Sequence, residues 1–152
     1  MLKIKNSELA VILLDPVADR DRQGSRYCWG GYIWQVNDHE GNALFTGPEW
    51  PKSTPTAFNG QGLPESFRHR SRTGQPQTWK GTRGVALGIG ELGLDAKGEV
   101  EVTQPCTWRI SQDGTNIVFQ TEQIAGDYHY ELQRTVSLDG RRLISSSRLK
   151  NL

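Results

Sequence analysis

From Asp127 onward the side chains alternate strictly. Tyr128, Tyr130, Leu132, Arg134, Val136 and Leu138 make one series that is mostly apolar, and His129, Glu131, Gln133, Thr135 and Ser137 make the other, all polar. A period of two is the signature of a pleated strand with one buried and one solvated face. The run ends in Asp139-Gly140, a pair that readily adopts the positive φ angles of a tight hairpin turn, so Arg141 to Lys150 reads as the returning strand. Asp113-Gly114 sits between Cys106 to Ser111 and Asn116 to Gln123 in the same way and predicts a second hairpin.

Composition points in the same direction. The 152 residues hold 17 Gly, 7 Pro and 5 Trp, which favours turns and pleated surfaces over helices, and the expected class is all-β with antiparallel pairing. Earlier strands are expected at Leu2 to Lys5, Leu9 to Asp15 and Arg26 to Asn37, with a hairpin from Ile33 through His39-Glu40-Gly41-Asn42 into Ala43 to Thr46. Between about residues 47 and 83 the pattern gives way to Pro, Gly, Ser, Thr and charge, with only Leu63 to Phe67 read as a short helical turn. A long irregular excursion in one small domain is usually functional or an insertion. Cys28 and Cys106 have no metal-ligand spacing and read as reduced core residues, and no metal site is expected. Gly84 to Gly90 lacks the GxGxxG and GK[ST] spacings and reads as a strand that another backbone approaches closely, so no nucleotide or other cofactor is expected.

Charge narrows the partners. Lys and Arg total 18 against 17 Asp and Glu, a net +1, so no nucleic-acid partner is expected. The longest apolar run, Leu9 to Leu14, is too short for a bilayer, so no membrane partner is expected either. Glu8 interrupts the place where a signal peptide would start its apolar core, which makes a cytoplasmic location the expectation. The basic segment Arg68-His69-Arg70-Ser71-Arg72, with Lys80 and Arg83, suits a phosphate or carboxylate ligand, although a solvated loop is the favoured reading. The five tryptophans offer flat faces to sugar C-H groups, and core packing explains them as well.

Four stretches occur in a fixed order: Gly24-Ser25-Arg26-Tyr27-Cys28-Trp29-Gly30-Gly31-Tyr32-Ile33, Phe58-Asn59-Gly60-Gln61-Gly62-Leu63-Pro64-Glu65-Ser66-Phe67, Val85 to Leu92, and Tyr128 to Gly140 with its return to Leu149-Lys150-Asn151. The succession resembles the galactose mutarotase-like superfamily, in particular the aldose 1-epimerase-related proteins. The resemblance runs over most of the chain, and its weight lies in the order of the pieces.

That resemblance implies an antiparallel β-sandwich whose concave face holds a sugar or sugar phosphate, in a family of isomerases of carbohydrate metabolism that interconvert sugar anomers. Ring opening there needs a base for the anomeric hydroxyl and an acid for the ring oxygen. The family's catalytic Glu and His would fall past Leu152, so the resemblance implies the N-terminal half of such a sandwich without its complete catalytic pair. Asn59 stands where the epimerases carry a histidine, and an amide binds a hydroxyl but carries no proton near neutral pH. Arg26 and Glu65 match sugar-facing positions, and His69 joins them and Asn59 as substrate-binding candidates. A strand-end ion pair is the alternative for Arg26, and a helix-start acid after Pro64 the alternative for Glu65. The competing function is a non-catalytic β-domain that acts through protein association, by self-association or completion by a second chain at an unpaired sheet edge.

Overall fold

The computed structural model of the chain describes residues 1–45, 61–67 and 78–152. Among these the only helical segment is the 3-10 turn Arg20–Arg22, and everything else regular is antiparallel β. The first sheet holds β1 (Leu2–Lys5), β2 (Leu9–Leu13) and β3 (Ile33–Asp38), in that order. Asn6 closes its first hairpin, its side-chain oxygen accepting the amides of Glu8 and Leu9 at 2.9 and 2.8 Å. The second sheet orders β4 (Trp79–Lys80), β5 (Arg83–Ala86), β6 (Gly90–Leu94) and β7 (Val100–Pro105). The third, in the order β11-β10-β9-β8, is built from β8 (Arg109–Asp113), β9 (Asn116–Ala125), β10 (Tyr128–Asp139) and β11 (Arg142–Asn151).

Both hairpins read from the turn dipeptides are present, with Asp113 opposite Asn116 and Asp139 opposite Arg142. Gly140 takes φ +55 with open space around it, so the turn needs its conformational freedom rather than its small size. The alternation along β10 is the burial pattern itself: Tyr130, Leu132, Arg134, Val136 and Leu138 are buried, and the residues between them are partly exposed. That face meets Ile4, Leu9, Val11 and Leu13 of the first sheet, with Ile117 and Phe119 of β9 beside it, in the largest core cluster. Gly90 fulfils the expected close approach, since a Cβ there would fall 2.1 Å from the Gln104 carbonyl oxygen.

Three expectations change. The strand expected from Arg26 begins only at Ile33, because the backbone before it is tied elsewhere: the Cys28 amide donates to the Glu65 carbonyl at 2.8 Å and the Trp29 amide to that of Gly88 at 3.0 Å. The helical turn at Leu63 to Phe67 is absent. Leu63 instead forms an antiparallel bridge with Ile33, its amide donating to the Ile33 carbonyl at 2.9 Å, so cross-chain partners replace the local i to i−4 bonds. In the strand expected at Ala43 to Thr46, of which Thr46 lies outside the described residues, there is a single bridge, Asn37 to Ala43, after which the Gln35 amide side chain satisfies both backbone groups of Phe45 at 2.9 Å. Of the irregular region expected at about residues 47 to 83, the described parts are residues 61–67, which carry the Leu63 bridge, and residues 78–83, which carry β4.

Candidate functional site

A charged side chain stands on the apolar face of β10. Arg134 is 3% exposed, and a guanidinium so placed must find partners to offset lost hydration. It finds four. Its Nε donates to the Gly30 carbonyl at 3.4 Å, Nη2 to the Ser145 hydroxyl at 3.0 Å, and Nη1 contacts both the Ser147 hydroxyl and the Glu65 carboxylate. The Ser147 hydroxyl in turn lies 2.8 Å from each Glu65 oxygen. Desolvation lowers the Arg134 pKa from its ordinary value, with the neighbouring Cys28 opposing that shift; a guanidinium still stays charged at neutral pH.

The strand register explains why the cluster reaches the surface. Ser147 pairs with Arg134, Ser145 with Val136, Leu149 with Leu132 and Asn151 with Tyr130, so these β11 residues share the inward face of β10. Beneath β10 that face is covered; beneath β11 only Leu143 packs on the core, and from Ser145 onward the face is exposed. Leu132 is fully buried whereas its neighbour Leu149 is 48% exposed. The sheet thus overhangs its core, and Glu65, itself 31% exposed, stands at the rim of the overhang with Ser145 and Ser147.

Farther along β10 a second polar group is sealed into the core. Tyr130 donates to Gln123 Oε1 at 2.6 Å and accepts the Gly88 amide at 3.0 Å, and the Cys106 thiol approaches the same Gln123 oxygen at 3.1 Å. Burial pushes the Cys28 thiol up to about 12 and raises those of Cys106 and the Tyr130 phenol, so all three stay protonated at neutral pH. Both cysteines are free and buried, as the sequence led us to expect.

Of the four sugar-binding candidates, two are described. Glu65 enters the Arg134 cluster. Arg26 is exposed, with its guanidinium carbon 5.0 Å from the Tyr27 ring centroid, and its carbonyl accepts from the Ser66 hydroxyl at 3.1 Å. The two candidates therefore flank one seam, where residues 26 to 28 run beside residues 65 and 66. Asn59 and His69 lie outside the described residues, as do Arg68, Arg70 and Arg72. Trp29, Trp34 and Trp108 are buried, which is the core-packing reading, and Trp79 packs against a core cluster. Arg134 is the residue that sequence reasoning passed over. Its signal was present, as the one charge in an otherwise apolar face.

Neither described histidine reaches this cluster through its strand. His129 belongs to the outward series of β10, where its Nε2 lies 2.9 Å from Glu122, and His39 lies in the turn after β3, 3.9 Å from Glu40. Among the described residues no group of three or more potential ligands is placed to hold a metal, and no helix is long and apolar enough to cross a membrane. Comparison with family models, with curated proteins and with solved structures gave no match for this chain.

Proposed function

We propose that this chain is a carbohydrate-binding domain resembling the mutarotase-like β-sandwiches, with its sugar cleft under the overhang of β11. The observation that carries the reading is the Glu65 carboxylate held by buried Arg134 and the Ser147 hydroxyl, with the Ser145 hydroxyl on the same guanidinium. A carboxylate oriented by a charge it does not share with solvent presents acceptor lone pairs to a diol, and the hydroxyls add groups that both donate and accept. A neutral sugar fits this set better than an anionic one, because Arg134 already spends its charge on Glu65. Arg26 borders the same seam, its carbonyl accepting from the Ser66 hydroxyl. Proton exchange at a sugar ring would require an acid and base in register, whereas binding asks only for the carboxylate and hydroxyl groups gathered at Glu65, Ser145 and Ser147.

The test is titration calorimetry with glucose and galactose on the intact chain and on Ser147→Ala, an exposed position, with a melting curve to separate lost binding from lost stability because the hydroxyl also partners Arg134. Millimolar or tighter binding that weakens at least threefold in Ser147→Ala supports the cleft. Binding of neither sugar overturns it. The alternative, a β-domain acting through association, is favoured by one feature: among the described residues β11 pairs only with β10 and stands at the edge of its sheet. Sedimentation showing a concentration-dependent dimer, together with no sugar binding, would select it.

A further inference from the structure

The overhang does not end at Glu65. Moving along β11 by two residues advances roughly 6.6 Å on the same face, from Ser147 to Leu149 and then to Asn151. At that end lies a cavity of about 350 Å³ lined by Leu87, Tyr128, Tyr130, Leu149 and Asn151. Its walls are aliphatic and aromatic, and Asn151 is the one amide among them. Gly88, which anchors the Leu87 side of the cavity, receives the Trp29 amide one residue from where Cys28 binds Glu65, so the same seam borders both regions. The two regions are linked along the sheet as well: Ser147, Leu149 and Asn151 of β11 pair with the successive buried residues Arg134, Leu132 and Tyr130 of β10.

Resting on the carbohydrate reading above, we infer that the preferred ligand is a glycoside with an apolar aryl or alkyl aglycone, the sugar at Glu65 and Ser147 and the aglycone in the Leu87, Tyr128 and Leu149 cavity. A free hexose fills only the polar end and leaves the apolar walls wet. Displacing water from such a concave apolar surface with a ring or chain is favourable in proportion to the area covered. A binding function, unlike anomer exchange, does not require a free anomeric hydroxyl, so nothing in the proposed chemistry forbids a substituent there.

The experiment compares glucose, galactose and their phenyl β-glycosides by titration calorimetry against the full chain, Leu149→Ser and Leu87→Ser. Leu149 is half exposed on an edge strand, so its variant should keep the fold, and a melting curve checks this. The expected result is at least tenfold tighter binding of a phenyl glycoside than of its parent sugar, with that preference reduced at least threefold in each variant and the free-sugar affinity unchanged. Free sugar and phenyl glycoside binding alike would overturn the aglycone cavity and leave the carbohydrate reading standing. Phenol binding as tightly as the phenyl glycoside would also overturn the inference, since the sugar would then contribute nothing. Binding of no probe at all overturns both readings together.

Discussion

Replacing Glu65 with alanine would leave the Arg134 guanidinium buried without its counter-charge. The guanidinium would keep the Gly30 carbonyl and two serine hydroxyls, all neutral acceptors, in a site where Arg134 is 3% exposed. Removing one member of a fully buried ion pair costs about 3–5 kcal/mol. Because Glu65 retains 31% of its exposure, solvent already screens part of the interaction, and about 2–3 kcal/mol is the appropriate expectation. For a chain of this size that corresponds to a melting temperature lower by about 4–12 °C. Arg134→Met fills a similar volume without a charge and leaves Glu65 partly hydrated, so Glu65→Ala made on that background should cost much less than on the native one. Chemical denaturation of the two single variants and the double variant forms a cycle whose coupling should be about 1–3 kcal/mol. A Glu65→Ala protein that melts within 1 °C of the native one, or a cycle that is additive, would refute the idea that Arg134 depends on Glu65.

Cys28 and Cys106 should resist iodoacetamide at pH 8.5 in the folded protein and react quickly in denaturant, since burial keeps their thiols protonated; fast native-state labelling would contradict the placement. The Cys28 pKa is raised in the folded state from 9.0 to about 12, so its contribution to stability is complete below pH 9 and declines as pH climbs from 9 towards 12, measurable as a falling denaturation midpoint. Burial opposes ionisation of Asp19, but the Asp15 amide, the amino terminus and Arg22 outweigh it and hold its carboxyl below 3.8. Its stabilisation is therefore present above that pH and lost as pH falls through the lower folded value, and Asp19→Asn should flatten the acid limb of a stability profile. Gly90→Ala should destabilise by about 2 kcal/mol or more in thermal melts, because its Cβ would meet the Gln104 carbonyl at 2.1 Å and backbone must move; a neutral substitution would show that β6 and β7 separate easily.

The third sheet could be read almost directly from the sequence. A period of two over Tyr128 to Leu138, bounded by Asp-Gly turns, leaves little freedom of register, since a slip by one residue would turn the polar series His129, Glu131 and Gln133 into the core. The close approach at Gly90 and the buried thiols were legible for the same reason, that each follows from a local pattern. The stretches 26 to 32 and 61 to 67 were not. Their residues carry strand or helix tendencies, yet the Cys28, Trp29 and Leu63 amides are satisfied by the carbonyls of Glu65, Gly88 and Ile33, partners tens of residues away that no local pattern announces. The candidate site belongs to this second kind. Glu65 was picked out from the chain, but its partners Arg134 and Ser147 lie 69 and 82 residues farther along. Only pairing of β11 with β10, and the seam that brings residue 65 beside residue 28, sets the three together. Alternation told which face Arg134 would occupy, and tertiary packing decided what neutralises its charge, because a buried cation must be met by whichever acid the fold delivers.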